Sequence, residues 1–199
     1  MTARLVVLVS GEGSNLQALL DACREPDYGA QVVAVGADRS DIGGLRRAAA
    51  AGIPAFVVRL ADAPDRDVFN ERVAKAIASF APDLVVLAGY MKILAGWVVS
   101  QFPTINTHPA LLPAFPGAHA VPEALEHGVR LTGVTVHFAA DDVDSGPIIA
   151  QAAVPVVPDD DAESLHERIK LVERPLLVDT VHRLVTEDYR IDGRRVVFV

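Results

Sequence analysis

The sequence predicts an α/β fold, an open, mostly parallel twisted sheet with helices on both faces and antiparallel additions in the C-terminal half. Three observations carry this expectation. Short apolar runs recur through the first half: RLVVLVS (4–10), QVVAVGAD (31–38), AFVVRL (55–60) and DLVVLAG (83–89). Unbroken runs of this kind are buried on both faces, as strands of a parallel sheet are. Segments of helical character alternate with them, and strand–helix–strand repeats define βαβ units with right-handed crossovers. The second half instead offers longer strands flanking one short acidic loop, and a terminal hairpin.

Taken in order, the first strand ends at a glycine-containing turn and SNLQALLDACRE begins a helix. IGGLRRAAAAG reads as a second helix and DRDVFNERVAKAIASF as a third, with Phe69, Val73, Ala76, Ile77 and Phe80 on one apolar stripe. TINTHP is a short strand, and HAVPEALEHG holds a helix closed by Gly128. RLTGVTVHFA and PIIAQAAVPV are strands around DDVDSG. A long helix from about Asp161 to Thr186 carries Pro175, where a kink is expected. RIDGRRVVFV forms a hairpin turning at Asp192–Gly193.

At 199 residues and 51% hydrophobic, the chain suits one globular domain over 1–199 with a substantial core. The net charge of −8 and the lack of a basic face argue against a nucleic-acid partner. Anionic ligands must then be recognised locally, by backbone N–H groups and single basic side chains. Cys23 is the only cysteine, which fits a reducing compartment and a small core filler better than a nucleophile. The N-terminal apolar run is too short for a signal peptide or a membrane span, so a cytoplasmic protein is expected. Monomer and homodimer are both open.

In open α/β sheets the loops beyond the carboxyl ends of the strands gather the ligands, and three stretches stand out there. SGEGSNLQ brings backbone N–H groups and a helix N-terminus together, which suits a phosphate, with Ser14 or Asn15 as the N-cap. A plain strand-to-helix turn reads equally well. Leu16 rules out a dinucleotide fingerprint, though Asp38 at the end of the second strand keeps a ribose contact in view. In INTHPALLPAFPGAHA, Asn106 and His108 leave the same face of an extended segment. An amide and an imidazole side by side can stabilise a developing oxyanion, the imidazole can pass protons, and prolines 109, 113 and 116 restrict the backbone. For a histidine standing alone, a hydrogen-bonded loop residue would be the plainer account, but His108 does not stand alone. The third stretch, with Asp141, Asp142 and Asp144, is either turn chemistry or a carboxylate that orients the imidazole. His137 on its strand reads as packed, His119 as an exposed residue at a helix start, and no metal site is indicated.

The blocks VVLVSGEGSNLQALLDAC, DLVVLAGYMKIL, INTHPALLPAFPGAH, GVTVHF and DDVDSGPIIAQ together resemble the folate-dependent formyltransferase family, along nearly the whole chain. The resemblance implies a Rossmann-like formyltransferase fold, and transfer of a formyl group from 10-formyltetrahydrofolate to the amine of glycinamide ribonucleotide in purine biosynthesis. It implies small-molecule substrates only, with no metal. It places catalysis on Asn106, His108 and Asp144, and the acceptor on Gly13, Ser14, Asn15, Lys170 and Glu173. The folate co-substrate falls to Arg66, Gly89, Tyr90, Met91, Lys92, Ile93, Leu94 and Asp141. The N-terminal half is expected to bind the phosphate-bearing acceptor, and the C-terminal half the folate and the catalytic groups. A cis peptide before Pro113 is also implied. Three departures stand out: Lys170 replaces a common glutamine, Lys92 a common arginine, and no second histidine follows His119. Within the same fold a water-using deformylase, and outside it a non-catalytic nucleotide-binding module, are the alternatives. A transfer-RNA formyltransferase would need a further domain and a basic surface.

Overall fold

The computed structural model describes residues 2–199, which fall into two compact units divided between Ile105 and Asn106. The first unit contains β1 (Ala3–Val9), α1 (Ser14–Ala22), β2 (Ala30–Ala37), α2 (Gly43–Ala50), β3 (Ala55–Val57), a single 3-10 turn (Leu60–Asp62), α3 (Arg66–Ala78), β4 (Leu84–Leu87) and α4 (Gly96–Val99). Here β1 lies between β2 and β4, β3 flanks β2, and every pairing is parallel. Leu5 to Val9 and Leu84 to Val86 are buried without alternation, as a strand covered on both faces requires.

Two expectations are corrected in this unit. AFVVRL forms only three strand residues, and Ala55 and Val57 are exposed, because β3 pairs with β2 alone and has no neighbour to cover it. The buried face of α3 is Phe69, Asn70, Val73, Ala74 and Ile77, whereas Ala76 and Phe80 are only half-buried. Asp65 caps that helix by accepting from the Val68 N–H at 2.8 Å.

β5 (Thr104–His108) runs across the division between the units. The second unit then holds α5 (Ala120–Glu126), β6 (Leu131–Phe138), β7 (Ile148–Pro155), α6 (Ala162–Thr186), β8 (Tyr189–Asp192) and β9 (Arg195–Phe198). β6 and β7 are antiparallel, β7 meets β9 in parallel, and β8–β9 is an antiparallel hairpin. Its turn residues are Gly193 and Arg194, one place later than expected, because Asp192 still pairs with Arg195. α6 packs Leu165 and Ile169 onto Val134 and Val154 of the β6–β7 pair and Val121 of α5. It opens on a capping box, with the Asp161 carboxylate and Ser164 hydroxyl each accepting the other's N–H. The helix continues through Pro175.

Candidate active site

Within the second unit the chain brings an amide, two imidazoles and a carboxylate together. Asn106 and His108 are two apart on β5 and so share a face. Asp144 comes from the loop joining β6 to β7. Its Oδ2 lies 3.2 Å from His108 Nδ1 and accepts the Gly117 N–H at 2.7 Å. Its Oδ1 accepts an Asn106 N–H at 3.3 Å and lies 3.4 Å from His137 Nε2. Burial alone would raise the Asp144 pKa, but the bonds from His137 and Gly117 and the nearby His108 outweigh it, holding the carboxyl below its ordinary range.

The hydrogens in this cluster are nearly all committed. His108 Nε2 faces the Phe115 carbonyl at 2.7 Å, so both of its ring nitrogens face oxygen acceptors. A neutral ring satisfies one of them and a protonated ring both. His137 Nδ1 faces the Phe138 carbonyl at 2.9 Å, and Nε2 lies 3.2 Å from the Asn106 nitrogen. A neutral ring with its proton on Nδ1 accepts one Asn106 N–H at Nε2, whereas a protonated ring donates from Nε2 to Asp144 Oδ1. His137 is thus both packed, as the sequence suggests, and part of the site, which the sequence reading missed. The alternation of GVTVHF could have placed it on one face with Thr135.

Thr135 was missed too, and it holds the proline-rich segment. Its buried hydroxyl donates to Ala110 O at 2.7 Å and accepts from Leu112 N at 3.0 Å and Gln151 Nε2 at 2.9 Å, a full complement. Gln151 also donates to Leu112 O at 2.9 Å. The Leu112–Pro113 peptide is cis. Phe115 and Asp144 both adopt left-handed backbone, with φ of 52° and 54°, an uncommon state for non-glycine residues. Gly146 closes the Asp144 loop, where an added Cβ would lie 1.8 Å from the Phe138 carbonyl oxygen. Asp141 is exposed in the same loop.

In the first unit the SGEGSN loop is shaped by backbone. Neither Ser14 nor Asn15 is the N-cap; Gly13 is, in the left-handed region at φ 72°, with no side-chain cap. Glycine wins because that conformation costs it little and because a Cβ there would meet Gly44 Cα at 2.7 Å. The neighbouring carbonyls are turned toward α2: Gly11 O accepts from Gly44 N at 3.0 Å and Glu12 O from Arg47 Nε at 2.8 Å. Arg47 also donates to the Gln17 side chain at 3.1 Å. The first helical bond is Gln17 N to Gly13 O, so the amides of residues 14–16 have no acceptor within the helix. The Asn15 side-chain oxygen is buried without a partner.

Arg66 begins α3 and donates to Ile93 O at 2.6 Å. In the segment after Gly89, Met91 and Ile93 are exposed, Leu94 is buried, and Lys92 pairs with Asp38 at 3.1 Å. Burial, and secondarily the Asp38 charge, pushes the Tyr90 phenol above its ordinary pKa. The Asp38 carboxylate, kept in view for a ribose, pairs with the Arg39 and Lys92 cations. In the second unit Lys170 pairs with Glu167 at 2.6 Å on α6, and Glu173 lies buried one turn further. Half-buried Cys23 has its thiol pushed up by burial to about 11. Exposed His119 stands at the start of α5. Among the described residues no three His, Cys, Asp or Glu side chains are grouped to hold a metal, and no helix is long and apolar enough to cross a membrane.

These features match known proteins. Residues 3–181 fit the family model described as formyl transferase, and the chain belongs to that family. The particular relatives share one name, phosphoribosylglycinamide formyltransferase. That of Mycobacterium tuberculosis (strain H37Rv) is 54% identical over 194 residues, covering 96% of this chain and 89% of the relative. That of Escherichia coli K12 is 40% identical, covering 86% and 82%. Among solved structures, glycinamide ribonucleotide transformylase 1 from Symbiobacterium toebii superposes with a TM-score of 0.96 at 44% identity, covering all of this chain and 94% of that one.

Proposed function

We propose that this chain transfers the formyl group of 10-formyltetrahydrofolate to the amine of glycinamide ribonucleotide. The observation that carries the reading is the Asn106–His108–Asp144 cluster, in hydrogen-bond reach, in a chain of the formyl transferase family. The amine nitrogen attacks the formyl carbon, and the carbonyl oxygen gains negative charge. Asn106 and His108 stabilise that oxyanion. Asp144 orients His108, and the pair moves the amine's proton toward the departing donor nitrogen as its bond to the formyl carbon breaks. The Asn106 bonds to Asp144 and His137 are long, 3.3 and 3.2 Å, so exchanging one for the oxyanion costs little. His108 Nε2 likewise exchanges the Phe115 carbonyl for the reacting groups.

Glycinamide ribonucleotide places its phosphate on the N–H groups around Gly13, Ser14 and Asn15, with Lys170 and Glu173 completing the acceptor contacts. The folate uses Arg66, Asp141 and the stretch Gly89, Tyr90, Met91, Lys92, Ile93 and Leu94. No metal takes part, and the reaction belongs in the cytoplasm. The test is to mix the protein with both substrates and follow loss of the formyl group from the folate. Turnover that requires the ribonucleotide supports the transferase. Turnover without it identifies a hydrolase, and none with either overturns the reading.

A further inference from the structure

Asp38 directly follows β2 and is one of the most enclosed charges in the first unit, its side chain 1% exposed. Its Oδ2 lies 2.8 Å from Arg39 Nη2 and 3.1 Å from Lys92 Nζ, while Oδ1 accepts from Arg39 Nε at 3.2 Å. The Ser10 hydroxyl donates to the same carboxylate, and its oxygen accepts the Met91 N–H at 2.8 Å. One buried carboxylate therefore ties together the end of β1, the end of β2 and the segment after β4.

That segment, Tyr90–Leu94, has no regular secondary structure, and its Met91 and Ile93 side chains are 58% and 59% exposed. It cannot be fixed by a hydrogen-bonded ladder or by wholesale apolar burial. It is pinned at its far end, where Arg66 donates to Ile93 O and Ala95 N donates to Asn70 Oδ1. Asp38 supplies the near end through two routes, the Lys92 ammonium and the Ser10 hydroxyl under Met91 N–H. We propose that Asp38 is a positioning residue for Tyr90–Leu94 and sets affinity for the formyl donor by holding that backbone, without touching the donor. This rests on the assignment of the segment to the folate. Lys92 suits the task because its compact ammonium on a long stem reaches a buried carboxylate.

The experiment is steady-state kinetics on Asp38→Asn, Lys92→Gln, the double variant and Met91→Ala, varying each substrate in turn. Asp38→Asn should raise the KM for 10-formyltetrahydrofolate about ten-fold, with kcat and the ribonucleotide KM within about two-fold. Because both changes act through one link, the double variant should be no worse than Asp38→Asn alone, whereas independent effects would multiply. An unchanged donor KM in Asp38→Asn, or a matching loss in both KM values and kcat, overturns the proposal. Should Asp38→Asn not fold, Lys92→Gln decides alone: it leaves Asp38 paired with Arg39, and an unchanged donor KM sinks the idea. Met91→Ala separates the two levels. If it leaves the donor KM unchanged, the folate assignment is wrong; if it raises that KM while Asp38→Asn does not, only the positioning role fails.

Discussion

The two units build functional groups in opposite ways. In the first, the features that could meet ligands are backbone: the glycine-shaped amides before α1 and the irregular segment after β4, both at strand ends. Side chains such as Arg47 and Asp38 stand behind them and fix the main chain. In the second unit the candidate groups are themselves side chains of strands, Asn106, His108 and His137, meeting the Asp144 carboxylate from a loop; the two histidines are buried and the other two half-buried. A backbone site tolerates change in its exposed side chains but not in its glycine. A side-chain network tolerates neither loss of a member nor a shift of register.

The comparison breaks most sharply at its buried end. His108→Ala and Asp144→Asn should each lower kcat by about 10²- to 10³-fold or more, while binding of glycinamide ribonucleotide, followed by calorimetry, persists. Near-normal kcat in either variant would remove the cluster from the chemistry. Next in size, Thr135→Val keeps the shape but strands the Ala110 carbonyl and the Leu112 and Gln151 N–H groups, and should cost about 2–3 kcal/mol in denaturant unfolding. A cost near zero would mean that the proline segment holds itself.

In the backbone-built unit, Gly13→Ala meets both the left-handed φ and the approach of Gly44, and should cost at least about 1–2 kcal/mol. Arg47→Met, which frees the Glu12 carbonyl, should raise the ribonucleotide KM several-fold with kcat retained. A fall in kcat alone would refute the division of labour drawn above. Acid should reach the second unit through Asp144. Its folded pKa is lowered, so its stabilisation is present above the ordinary carboxyl range and lost as pH falls through the folded value. The stability gap between wild type and Asp144→Asn should therefore narrow in acid, and a gap that widens there would contradict the paired carboxylate. Smallest of all, Cys23, with its thiol near 11, should alkylate slowly at neutral pH by mass spectrometry.

The contrast also explains what could be read in advance. The parallel strands were legible because burial on both faces writes itself as unbroken apolar runs. β3 was overread because an edge strand can carry the same letters with nothing to cover it. Asn106 and His108 were legible from their spacing of two, and the acidic loop from its composition. His137 and Thr135 were not, since a polar residue on a buried strand gives no sign of its partner. Asp38 stayed in view for a ribose because its position after β2 is local information, while the cations that occupy it come from residues 39 and 92.

By itself, then, the sequence determined the alternation of strands and helices and the residue types able to move a proton or steady an oxyanion, because periodicity and local propensity act over a few residues. Only the tertiary structure decided which N–H each carboxylate takes, that a glycine and not Ser14 caps α1, and that Asp38 faces inward. Those outcomes depend on distances between segments far apart in the chain, and on desolvation that forces every buried polar group to find a partner.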